Sequence, residues 1–167
     1  QGSSVYGANA FSGAINIITD NNNPSNVSTQ LSAGSFNSYL QNITANYNQT
    51  NLRTLASVTH KSSQGYIPNT DYDILNVFTQ TNLSTKAVGK FDLQLGYQTK
   101  AYGANAFYSF DYPHQFDYNK ALFGSLNWNY SKNNLTISAQ SYYRQHYDRF
   151  ELFRNMDQAP TWYTTHN

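Results

Sequence analysis

Residues 91–98 read FDLQLGYQ, and this short stretch decides the fold class. Phe91, Leu93, Leu95 and Tyr97 occupy alternate positions, and the positions between them hold polar residues and one glycine. Side chains of a β-strand point alternately to its two faces, so a period of two predicts a strand with one apolar and one polar face. The stretch is therefore predicted to lie in a sheet whose two faces meet different surroundings.

The same alternation recurs along the rest of the chain. Together with 91–98, it predicts strands over residues 26–34, 38–48, 52–61, 74–83, 118–130 and 135–145. Leu55 and Phe78 interrupt the pattern, because they occupy the polar positions of their segments. Seven consecutive strands joined by turns and loops predict an all-β, antiparallel protein.

The lengths of the strands and of their connections favour a membrane setting. Several segments span about 9–11 residues, which a tilted strand needs to cross a bilayer, whereas soluble strands average about 5–6 residues. The connections alternate between short turns and longer loops, as in outer-membrane barrels. Short turns are predicted at 49–51, 84–89 and 131–134, longer loops at 62–73, 101–117 and from 146 onward, and only the short turn at 35–37 breaks the scheme.

Aromatic residues on the apolar positions form two groups. Beside the short turns lie Tyr47, Phe91, Trp128 and Tyr130, and beside the longer loops lie Tyr97 and Tyr143. Amphipathic rings are enriched where a membrane meets water, because the ring is buried while its polar edge stays hydrated. The two groups predict two interfacial belts.

The composition excludes several classes of protein. Ten Lys and Arg against nine Asp and Glu give a net charge of +1, so nothing indicates a nucleic-acid partner. The absence of cysteine excludes a disulfide scaffold and a thiolate metal site. No run approaches 18 apolar residues, so no transmembrane helix is predicted. No motif of an enzyme is present, and we expect no catalytic residues.

Residues 2–19, GSSVYGANAFSGAINIIT, differ in composition from everything that follows. Its many glycines and alanines have small side chains, which allow other backbone to approach closely. The apolar run Ala14–Ile18 is too short for a helix. It therefore predicts one buried strand packed closely against other backbone.

This stretch resembles the end of the plug domain of TonB-dependent outer-membrane receptors. The resemblance is carried by Tyr6, Gly7, Ala8, Gly13, Asn16, Ile17 and Ile18. It implies that residues 1–19 are the C-terminal end of a plug, 20–25 a linker, and 26–167 the first strands and external loops of a transmembrane β-barrel. Because such barrels take 22 strands, the chain is expected to be a fragment with two unpaired edges that aggregates alone in water.

Two later segments extend the resemblance to the vitamin B12 receptor-like branch of the family. They are GYQTKAYGANAFYS at 96–109 and HYDRFELFR at 146–154. The resemblance implies active uptake of a corrinoid across the outer membrane of a Gram-negative bacterium. Its implied partners are the lipid bilayer, lipopolysaccharide, the small-molecule nutrient, and a TonB complex acting through a plug segment outside this chain.

Two alternatives to corrinoid uptake remain at this stage. Within the family, the ligand could be an iron siderophore or haem, since ligand class changes readily on one scaffold. From another class, a β-rich cell-surface adhesin or carbohydrate-binding module would explain the aromatic loops. It would not explain the plug-like stretch or the two aromatic belts.

The best candidate for ligand binding is the aromatic loop between residues 102 and 118. Its rings supply flat, rigid contact area with polar tips, which suits a large planar or sugar-like ligand. The alternative is that the rings pack the loop against its neighbours. The candidate residues are Tyr102, Phe107, Tyr108, Phe110, Tyr112 and Phe116.

Four aspartates in two successive external loops are candidates for a calcium site. They are Asp71, Asp73, Asp111 and Asp117. Calcium prefers oxygen ligands, and carboxylates from neighbouring loops can supply them. The alternative is that all four are ordinary solvated aspartates.

Overall fold

A computed structural model of the chain describes residues 24–107, 109–154 and 159–161. Within them the chain forms one seven-stranded antiparallel sheet, in which each strand pairs with the next along the sequence. The strands are β1 (Asn26–Gly34), β2 (Ser38–Asn48), β3 (Leu52–Ser63), β4 (Tyr72–Thr85), β5 (Gly89–Gly103), β6 (Phe116–Lys132) and β7 (Leu135–Glu151). The all-β prediction is confirmed, and the plug-like stretch 1–19 lies outside the described residues.

The last three strands are longer than the apolar alternation predicts. β5 continues to Gly103, β6 begins at Phe116, and β7 continues to Glu151, so 146–151 is strand and not loop. These extensions pair with one another, as in Tyr102 opposite Asp117 and Asp117 opposite Phe150. A partner strand satisfies the backbone groups of these residues whatever their side chains, so pairing extends past the patterned region.

One face of the sheet is apolar and exposed. Antiparallel pairs place side chains of opposite residues on the same face, and Ile43, Val58, Val77, Tyr97 and Leu122 form one such row. Large exposed side chains of this face are Val27, Leu31, Tyr39, Ile43, Tyr47, Val58, Val77, Leu83, Leu93, Leu95, Leu122, Leu126, Leu135, Ile137, Tyr143 and Tyr147. We call this surface the apolar face.

The other face is polar. On it, Asp92 accepts hydrogen bonds from the side-chain amides of Gln80 (2.9 Å), Gln94 (3.2 Å) and Asn82. Its charged side chains include Arg53, Lys61, Lys90, Lys100, Arg144 and Asp148. We call this surface the polar face.

Phe78 lies on the polar face because a space there fits its ring. Phe78, Gly96 and Phe123 are opposite one another on three neighbouring strands, and the two rings lie 6.2 Å apart between their centres. A Cβ atom at position 96 would meet the Phe123 ring at 2.0 Å. Gly96 therefore makes the space in which Phe78 and Phe123 form a small apolar island.

The strands are aligned at one end of the sheet and staggered at the other. At the aligned end, the row Ala33, Tyr39, Ser62, Asp73, Ala101, Tyr118 and Arg149 crosses all seven strands. From that row the chain runs nine residues from Tyr39 to Asn48, twelve from Asp73 to Thr85, and 14 from Tyr118 to Lys132. Each short turn therefore lies two to three residues beyond the one before it.

The sheet is open within the described residues. β1 pairs only with β2, and β7 pairs only with β6, so each has one unpaired edge there. No helix in the described part of the chain is long and apolar enough to cross a membrane.

Candidate ligand-binding loops

The longer connections meet at the aligned end of the sheet. They are the β3–β4 loop (64–71), the β5–β6 loop (104–115) and the segment after β7 (152–154). The turn 35–37 lies at the same end, because the backbone oxygen of Phe36 accepts a hydrogen bond from the amide of Gln64 (2.9 Å).

Most of the tightly buried side chains in the described residues lie at this aligned end, in the β5–β6 loop and the first residues of β6. The buried hydrophobic residues are Ala104 and Phe116, and Gln115 is completely buried. A single sheet with two exposed faces has no interior, so the packed centre forms where loops cover one end. The loops are therefore an organised part of the structure.

Asn69 joins the two longer loops. Its side-chain amide donates to the backbone oxygens of Pro113 (2.9 Å) and Gln115 (2.7 Å). Its backbone oxygen accepts from the amide of Asn105 at 3.1 Å, and its backbone has a φ of 59°. Asparagine tolerates this left-handed conformation better than most residues. Gly103 permits the approach, since a Cβ there would lie 2.7 Å from the Asn69 backbone.

Arg154 joins the segment after β7 to both loops. Its guanidinium group donates to the two carboxylate oxygens of Asp71 at 2.5 and 2.8 Å and to the side-chain oxygen of Asn69 at 3.3 Å. The same group lies over the Phe116 ring, 4.6 Å from its centre. The backbone amide of Arg154 donates to the oxygen of His114 (2.9 Å). We call Asn69, Asp71, Gln115, Phe116 and Arg154 the loop hub.

The ion pair in the loop hub changes the titration of both partners. The hydrogen bonds from Arg154 hold the pKa of the Asp71 carboxyl below its ordinary value, although partial burial acts in the opposite direction. The bond to Asp71 likewise raises the pKa of the Arg154 guanidinium. Asp71 is therefore ionised at neutral pH, as a charge-assisted pair requires.

The six predicted ligand-binding residues separate into different environments. Phe107 and Phe110 are 75% and 92% exposed. Tyr112 packs edge-on against Phe153, with ring centres 5.5 Å apart, and Phe116 is buried under Arg154. Tyr102 is half-buried in β5 opposite Asp117, and Tyr108 lies outside the described residues. Phe107 and Phe110 thus present their rings to solvent, while Tyr112 and Phe116 support the loop.

The four predicted calcium ligands do not come together. Asp71 is bound to Arg154, Asp73 bonds to His60 at 3.0 Å, Asp111 is exposed, and Asp117 is buried beside Asn119. Among the described residues, no group of three or more His, Asp or Glu side chains is placed to hold a metal ion. Asp71, the candidate within the loop hub, is already paired with the guanidinium group of Arg154.

The sequence pattern did not predict Tyr66 and Ile67 as candidate ligand contacts. They lie in the β3–β4 loop and are 73% and 41% exposed. They lie beside Pro68, whose oxygen accepts a hydrogen bond from the Asn105 side chain at 2.7 Å. Large apolar residues between a glycine and a proline in a loop are the signal that could have found them. The residues next to Asn69 and Arg154 in the sequence give no comparable indication of the contacts that these two side chains make.

Comparison with known proteins identifies no relative: no protein-family model, curated protein or solved structure matches this chain.

Proposed function

We propose that this chain is part of the barrel wall of a TonB-dependent outer-membrane receptor for active uptake of a scarce nutrient, with a corrinoid as the favoured ligand. The single observation that carries the proposal is the apolar face and its aromatic borders. The resemblance of residues 2–19 to the end of a plug supports the family, and the aromatic loops support ligand binding.

The uncharged part of the apolar face approaches the height of a membrane interior. From Leu122 to Tyr130 on β6, and across the same rows on the other strands, this face carries no Asp, Glu, Lys or Arg. Charged side chains of the face lie beyond this stretch: Asp73 and Lys120 nearer the loops, and Lys132 at a short turn. The lipid-facing band of an outer-membrane barrel is about 25 Å tall and lacks charges in this way.

Aromatic side chains border this band at both ends. Near the short turns, Trp128 stacks on Phe91 and on Tyr130, with ring centres 6.3 Å apart in both pairs. Near the loops, Tyr118 and Tyr147 lie edge to face at 6.2 Å. Eight residues separate Leu122 from Tyr130, or about 27 Å along a strand, which a tilt of about 40° reduces to about 20 Å; Tyr118 lies beyond Lys120 on the loop side of this band.

The second aromatic belt does not lie where the sequence predicted it. Tyr97 and Tyr143 are mid-strand, because β5 runs on to Gly103 and β7 to Glu151. Tyr39, Tyr118 and Tyr147 are the apolar-face tyrosines nearest the loops. They replace Tyr97 and Tyr143 as the outer belt of the proposed receptor.

The stagger of the short turns also supports a barrel. If the turns lie at one membrane surface, an advance of about 2.5 residues per hairpin corresponds to about 8 Å along the strand for about 10 Å across it. The strands would then tilt by about 40°, within the range of roughly 35–45° found in closed barrels. The unpaired edges of β1 and β7 would be covered by further strands of the same wall.

A soluble adhesin or carbohydrate-binding module fits less well. Such a module would cover its apolar face with a second sheet to form a core. The described residues supply one layer only, and the apolar side chains of that layer are exposed. No observation favours this second function over the receptor.

Site-directed labelling of the full-length receptor in its outer membrane tests the membrane orientation. The chain contains no cysteine, so single cysteines at positions 93, 94, 95 and 98 introduce unique spin labels in it. We expect labels at 93 and 95 to be accessible to oxygen dissolved in lipid, and labels at 94 and 98 to be shielded from it. Equal accessibility on both faces would contradict the proposal.

Uptake by cells tests the transport function. Cells lacking the receptor should lose uptake of radiolabelled cyanocobalamin, recover it on complementation, and lose it again with a protonophore, because the TonB complex uses the proton gradient. Competition by a ferric siderophore or haem would assign the ligand to those classes. If none of the three probes is taken up in an energy-dependent manner, the proposed function is wrong.

A further inference from the structure

The loop hub places one side chain where it can control the shape of the exposed aromatic loop. The two ends of the β5–β6 loop are anchored: the amide of Gly103 donates to the backbone oxygen of Asp71 (2.9 Å), and the amide of Ala104 donates to the backbone oxygen of Gln115 (2.8 Å). Phe107 and Phe110 lie between these anchors. Their position therefore depends on how the anchors are held.

Arg154 holds both anchors at once. Through Asp71 it fixes the residue that accepts from Gly103, and through Asn69 it fixes the side chain that binds the oxygens of Pro113 and Gln115. A planar guanidinium can serve two acceptors and also stack on the Phe116 ring. A lysine at this position would keep the charge but lose the paired geometry.

We propose that Arg154 is a positioning residue for nutrient binding: it fixes the β5–β6 loop in the shape that presents Phe107 and Phe110, without contacting the ligand. The inference rests on the proposed function. It assigns a role in ligand binding to Arg154, which lies 44 positions after Phe110 in the sequence. Loss of the hub lowers the fraction of receptors whose loop has the binding shape, and the apparent affinity for the ligand falls in proportion to that fraction.

Arg149 supplies a matched control in the same chain. It also pairs with a carboxylate, Glu151 at 3.1 Å, and lies over an aromatic ring, Tyr118 at 5.5 Å. It differs from Arg154 in two respects: it lies on β7 and does not bridge loops, and it meets its carboxylate through Nε alone, without the paired hydrogen bonds that Arg154 makes. The same Arg→Lys substitution at the two sites separates positioning of the loop from general loss of an arginine contact.

The experiment compares Arg154→Lys and Arg149→Lys in the full-length receptor in outer-membrane preparations. We expect Arg154→Lys to weaken binding of radiolabelled cyanocobalamin about tenfold at an unchanged number of sites, and Arg149→Lys to change it less than about twofold. Asp71→Asn should act through the same contact, so adding it to Arg154→Lys should weaken binding little further. Unchanged binding in Arg154→Lys, or additive effects of the two substitutions, would overturn the inference.

Hydrogen exchange of the Gly103 amide gives a readout that does not depend on the ligand. It should become about tenfold faster in Arg154→Lys and stay unchanged in Arg149→Lys. If the wild-type receptor binds cyanocobalamin, and the Arg154 variant binds it equally well, only the positioning role is wrong. If the wild type binds no cyanocobalamin, ferric siderophore or haem, the proposed function is wrong. If the Gly103 amide exchanges as slowly in Arg154→Lys as in the wild type, Arg154 does not anchor the loop.

Discussion

The two ends of the sheet are held together by different kinds of contact. At the staggered end each short turn closes through near neighbours, as in the bond from the Gln49 amide to the Leu52 oxygen (2.8 Å), and further bonds join a turn to the adjacent hairpin, as from the Trp128 side chain to the Val88 oxygen (2.7 Å). At the aligned end the contacts join distant parts of the chain: Asn105 with Pro68, Asn69 with Gln115, and Arg154 with Asp71, which is 83 residues away.

In the proposed receptor, this difference would separate an end that mainly determines the fold from an end that binds the ligand. Local turns need only a few residues to form, and they determine which strands pair. Contacts over long separations require the whole sheet to be in place first, and they can rearrange without changing the strand order. Disturbing the staggered end should therefore affect folding, and disturbing the aligned end should affect ligand binding.

The largest effect is expected from Gly89→Ala at the staggered end. Gly89 has a φ of 91°, and a Cβ atom there would lie 2.3 Å from the backbone oxygen of Asn129. The unfavourable φ and the overlap with backbone together should cost about 3 kcal/mol of unfolding free energy. The urea midpoint of the full-length receptor in lipid vesicles measures this loss.

Gly34→Ala is the control for this substitution. A Cβ atom at position 34 would have its nearest neighbour 3.9 Å away, so the unfolding free energy should change by less than about 0.5 kcal/mol. Equal destabilisation by the two substitutions would show that close approach at Gly89 does not matter.

Gly103→Ala should disturb the aligned end and leave the strand pairing intact. The added Cβ would lie 2.7 Å from the backbone of Asn69 and force the two longer loops apart, at a cost of about 1–3 kcal/mol. We expect cyanocobalamin binding to be lost while the apolar face keeps its accessibility to lipid. Loss of membrane insertion instead would remove the distinction between the two ends.

Arg154→Ala should destabilise the receptor by about 1–2 kcal/mol. Hydrogen bonds to charged groups contribute about 1.5–3 kcal/mol. The value is reduced here because the side chains of Arg154 and Asp71 are 35% and 33% exposed and partly screened by water. Arg149→Ala should cost no more than half as much in the same urea titration, and an equal loss would contradict a special role for the hub.

Acid should loosen the aligned end and leave the staggered end unchanged. The pKa of Asp71 is lowered by Arg154, so the pair contributes stability above the ordinary carboxyl range and loses it as the pH falls below about 4. Glu151 is the other carboxylate whose charge acts on Arg154. The effect should not exceed that of Arg154→Ala.

A spin label at a cysteine introduced in place of Phe110 measures this loosening. Its mobility should rise as the pH falls below about 4 in the otherwise wild-type protein. In the Asp71→Asn background the mobility should already be high and should change little with pH. A pH dependence that survives Asp71→Asn would assign the titration to another group.

The smallest effect is expected from Phe36→Asn. Phe36 has a φ of 61° in the turn between β1 and β2, and a bulky residue rarely adopts this conformation. Asparagine adopts it more easily, so stability should rise by about 0.5 kcal/mol. The backbone oxygen that binds Gln64 is unchanged, and loss of stability in the urea titration would show that the exposed Phe36 ring makes a contact of its own.

The alternation of apolar and polar residues predicted most of the sheet, because one rule governs each strand. β1 and β2 begin and end as predicted, while β5, β6 and β7 continue further at the loop end. There the residues lack alternation, and the partner strand decides the pairing. Phe78 broke the sequence rule because Gly96, 18 residues away, makes room for its ring.

The aromatic loop could be found in the sequence, but its division of roles could not. Which ring is exposed depends on Arg154 covering Phe116 and on Phe153 covering Tyr112. Both covering residues follow β7, more than 35 positions from the rings they cover. No local pattern records such a contact.

The increase in strand length across the sheet gives the proposed receptor wall a sloping upper rim. β2 has 11 residues and β7 has 17, a difference of about 20 Å along the strand, or about 15 Å in height at a tilt of about 40°. With the short turns level at the inner surface, the β6–β7 side stands well above the lipid, and the β1–β2 side barely clears it. In the proposed receptor, the β5–β6 loop would therefore stand farther from the lipid than the turn between β1 and β2.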